Sequence, residues 1–421
     1  MSFDKRNFVG FIDVASGKVR VMIMSKVISG DKSVKYVLEG KGESESVGYK
    51  GGKVLDFHAF STSVNQALEI AERQAGGNIS DIIISLSDFK YKSFILEAHK
   101  DFSFEKKITR KDIKDCSALL PIQQRIDLDK EKLIHIIPIE FILDGNKSVV
   151  DPEGNFAKSL LIRCHIITVD AAMYSELINV FSTLNLNVKK VVANAYASGL
   201  SVLVDDDKKV GSLLMDIGKS TMSVSIFIDD KICYNYSFPL GGDAITNSLS
   251  KQMNVRFSEA ERLKLKYGAK FPAPLDFSDY INIYMIGENG ENDPHEILKS
   301  DFLTVSNNIT KGIMSILKRC LDDKKALPYI NRVVITGGGS KLLGLKDIVS
   351  EIFNCPVRIA RPIKQEELSD NFDDATYSTL IGLFLFDKLK AKNDYTNSVL
   401  SDSEHKSLFN KFMKFWMENF G

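Results

Sequence analysis

The sequence has 421 residues, of which 44% are hydrophobic and 26% are charged. This composition excludes a largely disordered chain, and the length predicts about two to four domains. Basic and acidic residues number 55 each, so any nucleic acid or anionic membrane must be met by a local patch rather than by overall charge. Five scattered cysteines without a C-x-x-C pair suggest neither a zinc ribbon nor a disulfide framework. With no apolar N-terminal stretch, these features favour a cytoplasmic protein.

The first half of the sequence alternates strand and helix patterns, which predicts an α/β fold. A buried strand at 8–12, a tight turn at 13–18 and a returning strand at 19–25 predict a β-hairpin. Apolar residues at helical spacing predict a helix over Phe57–Ala75, which a glycine pair ends. Residues 87–168 differ, because short strand patterns and one helix pattern alternate with turn signals there. We interpret them as a small α+β unit inserted into the larger domain.

The second half opens as the first does. A strand at 211–215, a turn at 216–221 and a strand at 222–228 repeat the pattern of strand, aspartate, small-residue turn and strand. The two aspartates are Asp13 and Asp216, and such a duplication is stronger evidence than either copy alone. Further predicted elements follow in chain order: a strand at 231–238, helices at 258–267 and 302–321, an irregular stretch between them to residue 294, and a strand at 333–336 that precedes a glycine-rich turn.

The turns at 13–18, 216–221 and 337–340 contain residue types that are suited to binding phosphate. Mg²⁺ keeps several waters and takes one or two carboxylates, which suits Asp13 and Asp216, while Lys18 offers a positive charge. Backbone N–H groups of small-residue turns can approach phosphate oxygens, and the glycines of 337–340 allow a similar approach. Two plainer interpretations stay open: the aspartates only begin turns, and the glycine-rich turn is only a connector. The turn at 337–340 is neither a Walker loop nor a dinucleotide fingerprint.

The last residues predict a membrane contact. Residues 388–404 are polar and are typical of a flexible linker, and residues 405–421 carry three lysines and one glutamate, a net charge of +2. On a helix their apolar side chains gather on one face, with lysines on the other, which is typical of a helix that lies in a membrane interface. The alternative is a helix that docks on the body of the protein. The predicted membrane-binding residues are Leu408, Phe409, Lys411, Phe412, Met413, Lys414, Phe415, Trp416 and Phe420.

Three turns of this kind in this order are typical of actin-type ATPases, and within that superfamily the sequence resembles the FtsA family of bacterial cell division proteins. The resemblance covers about residues 7–385. The segment from His135 to Gly154 is specific to this family within the superfamily. The residues that carry the resemblance are Gly51-Gly52-Lys53-Val54 with Asp56, His135-Ile-Ile-Pro-Ile-Glu-Phe141, Asp144-Gly145, Asp151-Pro152-Glu153-Gly154, His165-Ile-Ile-Thr168, Gly241 to Thr246 and Ala260 to Gly268.

The resemblance implies ATP with Mg²⁺. It implies phosphates near the two aspartate turns, a metal at Asp13 and Asp216, and adenosine against the turn at 337–339 and the helix of Glu261. The implied cofactor-binding residues are Asp13, Ser16, Gly17, Lys18, Asp216, Gly218, Lys219, Thr221, Gly242, Asp243, Glu261, Lys264, Gly337, Gly338, Gly339 and Ser340.

Both phosphate turns depart from the family pattern. The first reads D-V-A-S-G-K from Asp13 instead of D-I-G-T-S-K, so Ala15 replaces a glycine. The second reads D-I-G-K-S-T-M-S from Asp216 instead of D-I-G-G-G-T-T-D, so two glycines are lost and Ser223 replaces a carboxylate. Larger side chains restrict the approach of the backbone to phosphate, and Lys219 is expected to compensate by pairing with a phosphate. We therefore predict nucleotide binding with weak or absent hydrolysis.

The implied fold is an actin-like, two-lobed α/β fold with an inserted small α+β subdomain and a C-terminal amphipathic helix. Its expected divisions are 7–86, 169–197 and 361–387 for the first lobe, 87–168 for the insertion, 198–256, 257–303 and 304–360 for the second lobe with its smaller subdomain at 257–303, 388–404 for the linker, and 405–421 for the helix.

The implied function is to polymerise in an actin-like manner and to anchor the FtsZ ring to the cytoplasmic face of the inner membrane at the division site. The implied partners are the C-terminal peptide of FtsZ, further copies of the chain, the anionic membrane surface and later division proteins, but no nucleic acid. The peptide is expected on 257–303, near Arg256 and Asn307. A phosphotransferase or phosphohydrolase of the same fold and a pilus-assembly adaptor are the alternatives.

Overall fold

A computed structural model of the chain describes residues 7–28, 34–87, 91–286, 294–323, 326–368 and 370–392. Within these residues no helix is long and apolar enough to cross a bilayer. The predicted membrane-binding helix at 405–421, with all nine of its named residues from Leu408 to Phe420, lies outside the described residues, as does most of the predicted linker.

Residues 7–28 and 34–87 form a strand-rich unit with one long helix packed on it. That helix is held at both ends by local signals: the Asp56 side chain accepts the N–H of Ala59, and Gly76 follows with φ 68°. Its bounds are those that the sequence predicts. The elements are β1 (Asn7–Val14), β2 (Lys18–Ile28), β3 (Val34–Glu45), β4 (Tyr49–Lys50), β5 (Lys53–Val54), α1 (Phe57–Ala75) and β6 (Asp81–Leu86).

The next segment builds a separate antiparallel sheet with one helix. Its strands run in the order β7-β10-β8-β9 and bury a core of their own around Leu160 and Ile162. The elements are β7 (Lys92–Lys107), α2 (Arg110–Ser117), β8 (Glu131–Leu143), β9 (Lys147–Val149) and β10 (Phe156–Asp170). This is the small α+β subdomain that the sequence predicts within the first lobe.

The chain then returns to the first sheet and crosses to the second lobe. The elements are α3 (Ala171–Thr183), β11 (Asn187–Ala193), α4 (Asn194–Val202) and α5 (Asp205–Val210). The first sheet has the order β11-β6-β1-β2-β3, in which β1, β2 and β3 are antiparallel neighbours while β6 and β11 run parallel to β1.

The second lobe repeats this plan. Its elements are β12 (Ser212–Ile217), β13 (Met222–Ile228), β14 (Lys231–Phe238), α6 (Gly242–Gln252), α7 (Phe257–Tyr267), β15 (Tyr280–Ile283), β16 (His295–Leu298), α8 (Lys299–Asp323), β17 (Arg332–Thr336), α9 (Leu345–Phe353) and β18 (Val357–Ile359). The chain then returns to the first lobe, where α10 (Ser378–Lys392) packs on the first sheet. The strand β15 lies in the stretch to residue 294 that the sequence predicts as irregular, and its antiparallel partner β16 follows directly after that stretch.

The second sheet has the order β14-β13-β12-β17-β18. It again joins three antiparallel strands to two parallel ones, so β1 and β12 hold equivalent positions in the two sheets. Each leads through a tight turn into an antiparallel partner, and Asp13 and Asp216 lie at equivalent strand ends. The internal duplication predicted from the sequence is therefore present in the fold.

Two helices cross where the lobes meet. A Cβ atom on Gly382 of α10 would lie only 1.9 Å from the carbonyl oxygen of Ala197 in α4, so the helices touch backbone to backbone at this glycine. The Ser201 hydroxyl donates to the carbonyl of Ser378 at 2.7 Å across the same crossing. The helix α4 also packs on the second sheet, because Ser225 donates to the carbonyl of Ala195 at 3.2 Å. The helix α10 ends at Lys392, within the stretch predicted as linker from residue 388.

Candidate functional site

The turns of the two equivalent hairpins face each other across a cleft between the lobes. A Cβ atom on Gly17 would lie 3.6 Å from the Cβ of Lys219, so the two turns come almost into contact. The cleft beneath them has a volume of about 490 Å³. A volume of this size suits a small-molecule ligand.

Most of the residues that the sequence assigns to nucleotide binding line this cleft. They are Asp13, Ser16, Gly17, Lys18, Asp216, Gly218, Lys219, Thr221, Glu261, Gly337 and Gly338. They come from both hairpins, from the helix α7 and from the turn after β17, which lie far apart in the chain. The fold therefore brings together the separate turns that the sequence predicts as one site.

The other assigned residues support these turns from behind. The Gly242 N–H donates to the carbonyl of Gly218 at 3.0 Å, and Lys264 Nζ donates back to the Gly242 carbonyl at 3.1 Å. A Cβ atom on Gly339 would lie 2.4 Å from the side chain of Ile217, and the Ser340 hydroxyl donates to the carbonyl of Gly337 at 2.6 Å. The five assigned residues that are not among the described residues lining the cleft are Gly242, Asp243, Lys264, Gly339 and Ser340.

The first aspartate is buried and paired. Oδ1 of Asp13 accepts the Ser85 hydroxyl at 2.9 Å, and Oδ2 lies 3.5 Å from Nη1 of Arg20. Burial raises the pKa of Asp13, although the Arg20 charge and the Ser85 hydrogen bond lower it in part. Arg20 also pairs with Glu43 at 2.9 Å. It lines the cleft and supplies a cation beside Asp13 that we did not predict from the sequence.

The second aspartate is held by residues from both crossing helices. Oδ2 of Asp216 accepts hydrogen bonds from Ser198, from Thr379 at 3.1 Å and from Asn194 at 3.3 Å. Burial raises the pKa of Asp216 to about 6, and the negative charge of Asp13 adds to this shift. Both buried carboxylates would therefore be stabilised by a cation in the cleft.

This donor set fits a hydrated Mg²⁺ rather than a closed metal cage. Among the described residues, no group of three or more His, Cys, Asp or Glu side chains is arranged to hold a metal ion. Mg²⁺ in nucleotide sites commonly takes one or two carboxylates, with water and phosphate oxygens completing its shell. Asp13 and Asp216, to which the sequence analysis assigns that role, are the two buried carboxylates that line the cleft.

The first hairpin is tied to a neighbouring turn of its own lobe. The Ser16 hydroxyl accepts the N–H of Gly51 at 3.0 Å, which joins the hairpin to the turn between β4 and β5. Lys18 pairs with Glu43 and lies 4.0 Å from Glu45. The charge of Lys18 is therefore shared with two carboxylates of β3.

The second hairpin is fixed by the start of α6. The Asp243 N–H donates to the carbonyl of Lys219 at 2.7 Å, and the Asp243 carboxylate accepts the Ser220 hydroxyl at 2.9 Å. The same carboxylate pairs at 3.2 Å with Lys50 of β4, so one ion pair bridges the two lobes beside the hairpin turns. Ser223 is buried, and its hydroxyl lies 2.7 Å from that of Ser237. The position where the family has a carboxylate thus holds a hydroxyl that is already hydrogen-bonded.

The glycine-rich turn closes another side of the cleft. Gly337 has φ 79°, and a Cβ atom there would lie 2.3 Å from Oδ1 of Asp216. Only glycine fits this position without strain, because the turn packs directly on the carboxylate. The turn is therefore more than a connector: it forms part of the wall around Asp216.

Three lining residues come from features that we did not interpret in the sequence. Arg20 pairs with Asp13 in the β1–β2 register, so a hairpin turn at 15–17 predicts that they are neighbours. Asn194 and Thr379 lie at the starts of α4 and α10, distant in the chain from the hairpins. His135, from the family motif, accepts the N–H of Ala193 at 3.0 Å and thereby holds the chain where α4 begins.

The expected peptide contact at 257–303 needs one correction. Asn307 is buried, and its side-chain amide donates to the carbonyl of Ala269 at 2.8 Å, so it cannot meet a peptide. Arg256 is exposed at the start of α7. This subdomain also exposes large apolar side chains close together in the chain, which sequence reasoning did not single out: Phe271 (78%), Leu275 (76%), Phe277 (61%) and Tyr280 (64%).

Two family models match the chain. The model described as "Cell division protein FtsA" matches residues 213–382, and the model described as "SHS2 domain inserted in FTSA" matches residues 91–168. The chain is also 28% identical over 390 residues to the cell division protein FtsA of Rhizobium meliloti, an alignment that covers 91% of this chain and 87% of that protein.

Solved structures share the fold at low sequence identity. The PilM-PilN type IV pilus biogenesis complex contains a chain with a TM-score of 0.61 and 13% identity, over 89% of this chain and 97% of that one. MreB5 of Spiroplasma citri bound to ADP has a TM-score of 0.54 and 12% identity, over 93% and 99%. These similar structures, together with the equivalent sheets of the two lobes and the inserted subdomain, confirm the actin-like fold predicted from the sequence.

Proposed function

The chain belongs to the FtsA family of cell division proteins, and on that premise we propose that it is an actin-like adaptor that joins the FtsZ ring to the cytoplasmic face of the inner membrane. In this proposal it binds ATP between its lobes, polymerises, docks the C-terminal peptide of FtsZ and recruits later division proteins. The observation that carries the proposal is the pair of equivalent hairpins, whose aspartates meet at one cleft in a chain of this family.

The nucleotide would be held between the hairpins and the glycine-rich turn. Backbone groups near Gly17 and Gly218 would approach the phosphates, while Gly338 and Glu261 would lie toward the adenosine. A hydrated Mg²⁺ at Asp13 and Asp216 would neutralise phosphate charge. Hydrolysis would be weak or absent, because Ser223 stands where the family has a carboxylate. In this function ATP would act on the arrangement of the lobes, since Asp216 is bonded to the helices that cross between them.

The FtsZ peptide would dock on the exposed apolar side chains of the smaller subdomain. Phe271, Leu275, Phe277 and Tyr280 lie within ten residues of one another and leave most of their surface exposed, as binding sites for partners often do. Phe271→Glu is expected to weaken binding of a labelled FtsZ peptide about tenfold or more, as loss of an interface anchor does. Phe104→Glu, at a similarly exposed phenylalanine of the inserted subdomain, is expected to leave peptide binding unchanged. Equal effects of the two variants would contradict this docking site.

Membrane attachment would come from residues 405–421. Each lysine near an anionic surface contributes about 1 kcal/mol, so a single copy would bind weakly and a polymer would bind through many copies. Full-length protein should float with anionic vesicles, and deletion of Lys406–Gly421 should abolish flotation. Trp416→Glu, on the apolar face, should reduce flotation strongly, whereas Asn410→Glu, which adds the same charge to the polar face, should reduce it much less. Undiminished flotation of the truncated protein would exclude the helix as the anchor.

A further inference from the structure

Lys219 is a cation of the cleft that the family pattern does not contain. It occupies the turn of the second hairpin, where the family pattern has glycine, and it lines the cleft. Its backbone is fixed on both sides, since its carbonyl accepts the Asp243 N–H at 2.7 Å and the Gly218 N–H donates to the Thr221 carbonyl at 2.8 Å. The side chain therefore begins from a fixed point, opposite Gly17 of the other lobe.

The acidic residues that line the cleft already have partners. Asp13 pairs with Arg20, Glu261 pairs with Lys264 at 2.7 Å, and Glu45 lies 4.0 Å from Lys18. Asp216 accepts three side-chain hydrogen bonds. Lys219, in contrast, forms neither an ion pair nor a side-chain hydrogen bond with any residue in the described part of the chain. Lys219 is thus an exposed lysine at the wall of the cleft whose charge is not used to hold the described part of the protein together.

A polyphosphate in this cleft would meet two buried carboxylates and needs compensating positive charge. Arg20 pairs with Asp13 and Glu43, and Lys18 pairs with Glu43 and lies near Glu45. Each would have to give up these ion pairs to neutralise the phosphates. Lysine carries a compact charge on a flexible stem and pairs well with phosphate. Two glycines in this turn would allow backbone N–H groups to come close to the phosphates. A lysine in the same turn attracts the phosphates by its charge instead.

We propose that Lys219 pairs directly with the phosphates of the bound nucleotide, so that this protein still binds ATP when the Mg²⁺ proposed at Asp13 and Asp216 is removed. The proposal rests on the proposed nucleotide binding and goes further, because it assigns to a side chain a task that a metal ion otherwise performs. It predicts that the loss of Lys219 makes the metal essential.

The test is the Kd of ATP for the full-length protein, measured by calorimetry with Mg²⁺ and with EDTA. For the wild type we expect the two Kd values to agree within about threefold. For Lys219→Gly, which restores the family residue, and for Lys219→Ala we expect binding in EDTA to weaken about tenfold or more and to recover largely with Mg²⁺. Lys219→Arg should behave as the wild type does. Lys251→Ala, which removes an exposed lysine of α6 away from the cleft, is the matched control and should change neither value.

The outcomes separate this inference from the function on which it rests. Wild-type protein that binds ATP with Mg²⁺ but not in EDTA would overturn the role of Lys219 and leave nucleotide binding intact. Equal Kd values for the wild type and both neutral variants in EDTA would overturn it as well. Absence of ATP binding under both conditions would refute nucleotide binding itself, and this inference with it. Thermal melts of each variant, compared with the wild type, report whether the hairpin still folds.

Discussion

The Thr379 hydroxyl donates a hydrogen bond of 3.1 Å to Oδ2 of Asp216. Thr379 is the second residue of α10, which packs on the first sheet, whereas Asp216 is the penultimate residue of β12 in the second sheet. The Ser198 hydroxyl of α4 lies 3.0 Å from that of Thr379 and donates to the same carboxylate. A charge placed at Asp216 therefore acts directly on the two helices that cross where the lobes meet.

Replacement of this carboxylate should stabilise the protein without ligand. Burial raises the pKa of Asp216 to about 6 from an ordinary 3.8, so the ionised form disfavours the folded state. Its unfavourable effect is absent below about pH 4 and grows as the pH rises through 6. Asp216→Asn is expected to raise the Tm by a few degrees at pH 7.5, in line with about 3 kcal/mol at most, and by clearly less at pH 5. Scanning calorimetry at both pH values checks this, and a lower Tm for the variant at pH 7.5 would contradict it.

The close crossing of α4 and α10 predicts opposite effects at two helical glycines. Alanine favours a helix over glycine by about 1 kcal/mol, so Gly312→Ala in α8, where nothing lies within 4 Å of the added Cβ, should raise the Tm slightly. Gly382→Ala would put its Cβ 1.9 Å from the Ala197 carbonyl oxygen, and we expect it to lower the Tm by several degrees. Thermal melts of the two variants side by side measure this, and equal shifts would show that the crossing can open without cost.

A buried ion-pair cluster should stabilise the second lobe. Asp207 is fully buried, and its carboxylate accepts hydrogen bonds from Arg332 of β17 at 2.9 Å and from Arg358 of β18. Burial raises the pKa of Asp207, but the two guanidinium groups outweigh burial and hold it below its ordinary value. Asp207→Ala should cost about 3–5 kcal/mol, because it leaves two arginines without their acceptor. Urea unfolding measures the loss, and Asp205→Ala, at an exposed aspartate of the same helix, should change stability by less than about 0.5 kcal/mol.

The ion pair between Lys50 and Asp243 should slow the release of nucleotide. It bridges the lobes beside the two hairpin turns, at 3.2 Å, but the Lys50 side chain is 54% exposed, so the pair is worth at most about 1 kcal/mol. We expect Lys50→Ala to increase the dissociation rate of a fluorescent ATP analogue about two- to fivefold in stopped-flow displacement. Lys53→Ala in the adjacent strand is the control. An unchanged rate for Lys50→Ala would show that the bridge does not limit opening of the cleft.

The elements that the sequence predicts best are those with local signals. The helix α1 has its predicted bounds because Asp56 and Gly76 cap it, and the strands Met222–Ile228 and Lys231–Phe238 flank a turn signal at 229–230. The helix α10 was not predicted, because Leu380, Ile381, Leu383 and Phe384 are all buried and the helix lacks an amphipathic pattern. The four-residue strands β15 and β16 are stabilised by pairing with each other, which no local pattern reveals.

Some residues of the candidate site can likewise be predicted from local sequence patterns, whereas others reach the site only through tertiary packing. Asp13, Asp216 and the glycine-rich turn follow from local patterns, because each ends a buried strand. Arg20 follows from hairpin register once the turn is known. Asn194, Ser198 and Thr379 reach Asp216 only after two helices cross, and Ser198 and Thr379 are 181 residues apart in the chain. Such contacts depend on tertiary packing and cannot be predicted from one sequence.

The measurement that tests the central claim most directly is co-sedimentation of FtsZ filaments with the full-length protein and anionic vesicles in the presence of ATP. The adaptor account predicts that FtsZ pellets with vesicles only when this protein is present, and that deletion of Lys406–Gly421 or the Phe271→Glu variant removes FtsZ from the vesicle fraction. FtsZ that stays in the supernatant with intact protein, vesicles and ATP would contradict the account.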